Sequence, residues 1–147
     1  MVRGKLFIAA AIGFMTLLVS SHVFAQADKR QALMKSNSAD AKAIKAAVEA
    51  KDYATIETKA KEIMGNADKI VGLFPKGSDT GKTKATPAIW DKPDEFAKDA
   101  KSLSKAASEL ADAAKAKDDA AIAVKVKALG NACNTCHKAF RADKYAE

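Results

Sequence analysis

The sequence predicts an all-α fold, an antiparallel four-helix bundle. Its 147 residues include only seven glycines and three prolines, and alanine and lysine, which favour helix, are abundant. Apolar residues recur at steps of three and four along most of the chain, and no alternation typical of a strand is present. All but one of the connections between predicted helices are short, so successive helices run antiparallel. The length suits one small domain.

Residues 1–25 predict a secretory signal peptide. Basic residues precede an apolar run over residues 6–19, and small side chains stand three and one residues ahead of a cleavage point before Gln26. The run is shorter than the ~20 residues needed to span a bilayer, which favours cleavage over a retained anchor. We therefore expect a periplasmic domain over residues 26–147, with no membrane attachment after cleavage.

Two helices are predicted before the one long loop. The first starts at Asp28, which has a capping-box partner three residues on, and it runs to about Ala50. Asp52 is a good N-cap for the second helix, whose apolar residues recur at helical steps as far as Phe74. Pro75 then ends that helix, because proline lacks the N–H that a helix interior needs.

The loop over residues 75–90 leads into the second pair of helices. It is rich in Gly, Lys, Thr and Pro, and it ends in an apolar segment, 88–90, that we expect to enter the core. The third helix begins at residues 91–93, with proline in its first turn. Asp118 or Asp119 caps the fourth helix, whose apolar stripe includes both cysteines of the chain.

The strongest chemical signal is the sequence Cys-Asn-Thr-Cys-His at residues 133–137. This C-x-x-C-H pattern is typical of c-type haem attachment. On a helix, Cys133 and Cys136 lie one turn apart, so both thiols reach the vinyl groups along one haem edge. His137 follows them and turns under the ring to bind iron. Export agrees with this interpretation, because bacteria attach haem outside the cytoplasm.

Other uses of these cysteines fit less well. A thioredoxin-like redox pair needs a strand before the helix, and none is predicted. A zinc site needs four ligands, and His137 is the only other strong soft ligand after residue 25. A disulfide between Cys133 and Cys136 closes a tiny loop and stabilises little. A haem-free helical binding protein with a coincidental motif is a further hypothesis.

Residues 133–141 lie at the end of the chain, on the last helix of the predicted bundle. This placement resembles the class II c-type cytochromes, the cytochrome c′ family. Residues 30–34 are similar to the first-helix segment that contacts haem in that family, and residues 88–90 are similar to its Trp segment. Gly130, three residues before the first cysteine, is also common there. The resemblance covers nearly all of residues 26–145 and implies one covalently attached haem c.

The resemblance also implies the axial ligands of the iron. His137 binds on one side, and Met34 stands where the low-spin branch of the family places a methionine sulfur. A thioether ligand raises the reduction potential and favours electron transfer over gas binding. The alternative is that Met34 only fills space in the core, as we expect for Met64.

Four further residues have roles that the sequence leaves open. The resemblance implies that Arg30 pairs with a haem propionate, although a solvated surface arginine is the alternative. Arg141 lies near the haem edge or a propionate, or is an exposed cation at a helix C-terminus. Phe140 is expected to pack beneath the haem. Gly130 either lets the haem or a facing helix approach closely, or is an incidental helix glycine.

The predicted function is that of a monohaem cytochrome that carries single electrons between redox partner proteins. The alternative is a five-coordinate, high-spin cytochrome c′ that binds nitric oxide or carbon monoxide. Because His137, the single histidine after residue 25, is expected to bind iron, none remains for a Ser-His-Asp triad, and we expect no enzyme activity. The net charge is +7, but the lysines are spread over all helices and have no aromatic residues interleaved with them. This arrangement argues against nucleic-acid binding. The protein is expected to be a monomer or a homodimer.

Overall fold

The computed structural model describes residues 9–79 and 83–143, with side chains from Gln26 onward. Over these residues the chain forms five α-helices and no strand, which confirms the predicted all-α four-helix bundle. The elements are α1 (Ala9–Ala50), α2 (Tyr53–Ala67), a 3-10 turn (Val71–Leu73), α3 (Ala88–Asp91), α4 (Pro93–Lys115) and α5 (Asp119–Phe140).

Helix α1 begins ahead of its predicted start. It is continuous from Ala9 to Ala50, so Asp28 lies inside the helix and does not cap it. The alanine-rich residues on either side of Asp28 are good helix formers, and a helix that has nucleated extends readily through them. The predicted signal peptide falls partly on residues 1–8, outside the described part of the chain.

Helix α2 begins as predicted but ends earlier. The Asp52 side chain accepts a hydrogen bond from the Thr55 backbone N–H at 3.1 Å, as expected of an N-cap. The helix stops at Ala67 and not at Phe74. Glycine, asparagine and aspartate at 65, 66 and 68 are weak helix formers, and the chain continues as a turn and a 3-10 turn.

The second pair of helices follows the predicted boundaries. Pro93 occupies the first position of α4, and the Asp118 carboxylate accepts the Ala121 N–H at 2.9 Å to cap α5. Helix α1 packs on α2, α2 on α4, and α4 on α5. No helix within the described ranges is long and apolar enough to cross a membrane.

Two backbone hydrogen bonds fasten the long loop to the end of α5. The Thr86 N–H donates to the Phe140 carbonyl at 3.1 Å, and the Ala142 N–H donates to the Lys84 carbonyl at 2.8 Å. The loop then enters α3, where Ile89 is buried, which confirms the predicted apolar segment. The loop thus closes one end of the bundle.

Candidate haem-binding site

A cavity of about 460 Å³ lies where α1, the loop after α2 and the end of α5 meet. Helix α1 contributes Arg30, Gln31 and Met34 to its wall, and α5 contributes Cys136 and His137. The remaining wall is largely apolar and aromatic. Pockets for cofactors are commonly roughly 300–1,000 Å³ and mostly apolar with a few polar groups, and this cavity has that character.

The two cysteines lie one turn apart near the end of α5, and both thiols are free. Cys136 lines the cavity, while Cys133 packs against the neighbouring hydrophobic core. Burial raises the pKa of the Cys133 thiol. Burial, with the charge of Asp99 and the proximity of Cys133, raises the pKa of Cys136 to about 11. Protonated thiols of this kind are poor thiolate ligands or redox nucleophiles, so the zinc and redox alternatives gain no support.

His137 also lines the cavity, and its side chain is half-buried. Burial, and next the positive charge of Arg141, lower the pKa of the imidazole. Both effects favour the neutral ring, which is the form of histidine that binds a metal ion. Within the described residues no group of three or more His, Cys, Asp or Glu side chains forms another metal site.

Met34 faces the same cavity from α1. Together with Arg30 and Ser38 it belongs to a stripe along α1 whose members recur every four residues. Its side chain is half-buried and packs against the core beside the cavity. Met64, on α2, packs against the core, as the sequence predicts. The fold therefore brings Met34 and His137 to one cavity from different helices.

Arg30 is buried, with 5% of its surface exposed, so the alternative of a solvated surface arginine is wrong. Its Nε donates to the Leu73 carbonyl at 2.6 Å and its Nη1 to the Ser78 carbonyl at 3.0 Å, while Nη2 donates to the Ser78 hydroxyl. The guanidinium carbon also lies 4.3 Å from the ring centre of Phe74. The sequence missed these contacts, because they join residues more than forty positions apart.

Arg141 and Phe140 lie where α5 ends. Arg141 is exposed at the cavity rim, and its N–H donates to the His137 carbonyl at 3.1 Å. Phe140 is 3% exposed, in agreement with the predicted packing role. Gly130 is exposed, and a Cβ there meets no atom within 4 Å, so close approach by a facing helix is wrong.

Three aromatic rings, each packed against the next, line one side of the cavity. Phe74 and Phe96 have ring centres 5.0 Å apart, and Phe96 and Phe140 have ring centres 5.2 Å apart, both pairs edge to face. Trp90 holds the loop beside them, because its Nε1 donates to the Phe74 carbonyl at 3.1 Å and to the Pro75 carbonyl at 3.0 Å. The apolar periodicity of the sequence predicts a core position for Phe74, but it does not predict a place on the cavity wall.

These residues fit a haem bound through the C-x-x-C-H sequence. The free thiols of Cys133 and Cys136 lie one turn apart, Cys136 and His137 line the cavity, and the Met34 thioether faces the same cavity from α1. The family described as cytochrome C′ matches residues 25–141 of the sequence. The chain belongs to the cytochrome c′ family. It is a monohaem c-type cytochrome, and like its family it carries covalently attached haem c.

Named relatives agree with this assignment. The chain is 42% identical to cytochrome c′ of Rhodospirillum rubrum over 85 residues, 57% of this chain. It is 35% identical to cytochrome c-556 of Agrobacterium fabrum over 123 residues, covering 81% of this chain and 82% of that protein. The chain spans only 46–58% of the length of the Rhodospirillum protein and of two cytochromes c-554 of Cereibacter sphaeroides.

Solved structures of cytochromes c′ share the fold. The crystal structure from Thermochromatium tepidum superposes with a TM-score of 0.75 at 28% identity, covering 81% of this chain and 95% of that one. A second cytochrome c′, described as having an unusual ligand-controlled dimer dissociation, also gives 0.75, at 27% identity, with 81% and 95% coverage. The helical bundle is therefore that of the cytochrome c′ family.

Proposed function

We propose that this cytochrome carries single electrons and that its iron is bound by His137 and Met34, with Cys133 and Cys136 forming the thioether links to haem. One observation carries the proposal: Met34 and His137 line the same cavity from α1 and α5. The bound haem supplies one-electron chemistry at its iron. The protein supplies the ligands, the orientation and a largely apolar pocket.

Each residue has a distinct part in holding that group. Burial of His137 favours its neutral imidazole, the form that has a lone pair for a metal ion. The Met34 thioether carries no proton at any pH, so it donates its lone pair without competing titration. Phe74, Phe96 and Phe140 supply an aromatic wall on one side of the cavity. If His137 and Met34 both bound the iron, they would leave no position on it for an external ligand.

A second candidate is a five-coordinate, high-spin cytochrome c′ that binds nitric oxide or carbon monoxide. The names of the family and of relatives such as the Rhodospirillum cytochrome c′ favour this candidate over the first. It requires that Met34 only packs against the core, a contact that its side chain makes. The two candidates differ in one respect, which is whether the Met34 sulfur binds iron.

Optical spectra of the haem-loaded protein, oxidised and reduced, with and without carbon monoxide, separate the candidates. We expect a low-spin spectrum that carbon monoxide leaves unchanged, because Met34 occupies the sixth position. Met34→Ala is expected to give a high-spin spectrum that shifts with carbon monoxide. Met64→Ala is the matched control, since it removes the other described methionine from the core of α2 and should leave the spectrum unchanged.

A wild-type spectrum that is high-spin and responds to carbon monoxide would favour the second candidate. An unchanged spectrum in Met34→Ala would show that this sulfur is not the ligand, whatever the wild type does. Loss of the low-spin spectrum in both variants would indicate a general loosening of the bundle.

We further propose that the domain over residues 26–147 acts in the periplasm after cleavage before Gln26, as a monomer or a homodimer, with redox proteins as partners. The dimer described for a structural relative supports the second of these states for this chain. The exposed lysines suit an acidic partner surface. The mass of the protein recovered from the periplasm tests the cleavage point, and sedimentation at several concentrations tests the oligomeric state.

A further inference from the structure

Arg30 connects α1 to the loop that closes the cavity. Its three hydrogen bonds reach the carbonyls of Leu73 and Ser78 and the Ser78 hydroxyl. Its flat face lies over Phe74, with the guanidinium carbon 4.3 Å from the ring centre. Arg30 stands four residues before Met34, so this attachment lies one helical turn from the proposed ligand.

The loop to which Arg30 donates its hydrogen bonds is stabilised by further hydrogen bonds of its own. The Ser78 N–H donates to the Pro75 carbonyl at 3.2 Å, and Gly77, with φ of 78°, occupies the turn position that requires a positive φ. The Ser78 hydroxyl donates to the Pro75 carbonyl at 2.6 Å while it accepts from Arg30. Trp90 bonds the Phe74 and Pro75 carbonyls from the other side. Arg30 therefore binds a preformed turn.

From this loop an aromatic column leads to α5. Phe74 packs edge to face on Phe96 at 5.0 Å, and Phe96 packs edge to face on Phe140 at 5.2 Å between ring centres. Phe140 stands three residues after His137, so the column ends one turn from the other proposed ligand. Because Arg30 covers Phe74, the column connects α1, which carries Met34, to α5, which carries His137.

The cavity lies between α1 and α5, while α1 packs on α2 and α5 packs on α4. The separation of the two ligand-bearing helices at this end therefore depends on what bridges the cavity. We propose that Arg30 is a positioning residue: with Phe74, Phe96 and Phe140 it sets the spacing of α1 and α5 that lets the Met34 sulfur reach the iron. This inference rests on the proposed ligation by Met34.

The chemistry of the contact explains why arginine occupies this position. Guanidinium presents several N–H donors in one plane and stacks its face on a ring, whereas an ammonium is a compact point charge. Lysine at position 30 keeps the positive charge but cannot bond Leu73 and both Ser78 oxygens while covering Phe74. A contact with a haem propionate would use only the remaining N–H groups of Arg30, and it would not depend on Ser78 or Phe74.

The test compares haem-loaded wild type with Arg30→Lys, Phe74→Leu and Ser78→Ala. The readouts are the high-spin fraction, the rate of carbon monoxide binding to the reduced protein, and the urea midpoint. Leu110→Ala is the control, because Leu110 is fully buried on α4 and lies roughly 21 Å along the helix from Phe96. It lowers stability without touching the column.

We expect Arg30→Lys, Phe74→Leu and Ser78→Ala each to bind carbon monoxide about tenfold faster than wild type, since Met34 is off the iron in a larger fraction of the molecules. Leu110→Ala should lower the urea midpoint and leave the rate of carbon monoxide binding unchanged. Ser78→Ala removes one hydroxyl only, so it keeps the test decisive if the other variants fold poorly.

Three results would overturn the inference in different ways. If wild type is low-spin and the three variants remain as closed to carbon monoxide as wild type, the spacing role is wrong and the proposed function stands. An effect of Arg30→Lys alone would indicate a propionate contact instead. If wild type is already high-spin and open, the proposed ligation fails, and the positioning role fails with it.

Discussion

The two ends of the bundle are held together in different ways. At the end opposite the cavity, Lys51 lies 2.7 Å from Asp119, and the Tyr53 hydroxyl donates to the same carboxylate at 2.9 Å. The Lys51 and Asp119 side chains are exposed, and surface pairs of this kind contribute little to stability. At the cavity end, buried Arg30 and three rings packed edge to face join segments far apart in the chain. Contacts at the cavity end are therefore expected to affect both stability and the haem, whereas the Lys51, Tyr53 and Asp119 contacts at the opposite end should affect neither strongly.

The largest expected effect comes from Phe96, the middle ring of the aromatic column. Phe96→Ala leaves a cavity between Phe74 and Phe140 and should cost about 3–5 kcal/mol in the free energy of unfolding. Ile122→Ala, near the start of α5, is the control and should cost about 2–5 kcal/mol. Urea unfolding measures both costs.

The two substitutions should differ in the haem spectrum. We expect the high-spin fraction to rise only in Phe96→Ala, because Ile122 lies at the opposite end of the bundle. A similar rise in both variants would contradict the division of the molecule into two ends.

A smaller effect on the free energy of unfolding is expected from a substitution in the turn that binds Arg30. Gly77→Ala places a Cβ at φ of 78° and should cost about 1–2 kcal/mol, because L residues are strained there. Gly130→Ala, inside α5, should stabilise the haem-free protein by about 1 kcal/mol, since the added Cβ meets no neighbouring atom and alanine favours helix. Urea midpoints of the haem-free proteins measure both values.

Gly130→Ala also tests the predicted approach of the haem to this glycine. If the haem lies against Gly130, the variant should load haem less completely than wild type, although its fold is more stable. Full haem loading would show that this glycine is incidental.

The smallest effect is expected at the opposite end, and it depends on pH. The hydrogen bond from Lys51, followed by that from Tyr53, lowers the pKa of Asp119. A lowered pKa in the folded state means that the carboxylate stabilises the fold above the unfolded value of about 3.9, and that this contribution disappears as the pH falls through the folded value.

Asp119→Asn should therefore differ slightly from wild type at pH 7 and hardly at all at the lowest pH where both fold. Urea midpoints across the acid range measure the difference, and Tyr53→Phe, which removes one of the two hydrogen bonds, should give part of it. A difference that stays constant with pH would assign the effect to something other than the charge of Asp119.

Local features of the chain were predictable from sequence. Asp52 and Asp118 cap their helices through N–H groups three residues on, and Pro93 takes the first position of α4. Each of these depends on neighbours within one turn. The two wrong boundaries are also instructive. Asp28 is suitable as a helix cap, but it lies within a longer run of helix-forming residues. In α2 the apolar residues keep recurring at helical steps beyond Ala67, where the helix itself ends.

Part of the site was predictable for the same reason. The spacing of Cys133, Cys136 and His137 is local, so it predicts a haem attachment sequence on one helix face. Met34 was placed only through family resemblance, and the fold brings it to the cavity of His137. The burial of Arg30 was not predictable, because its partners lie 43 and 48 residues away in a loop.

The order of amino acids determines the helices, their caps, the haem attachment sequence and the family, because each depends on short-range pattern or on matching residues. Tertiary structure alone decides which side chains share the cavity, that Arg30 is buried, and that Arg30 together with Phe74, Phe96 and Phe140 connects α1 to α5. These features depend on how helices pack and on the course of one loop. The sequence pattern shows which face of a helix is apolar, but it does not show which residues of other helices will cover that face. Those partners are identified only in the assembled bundle.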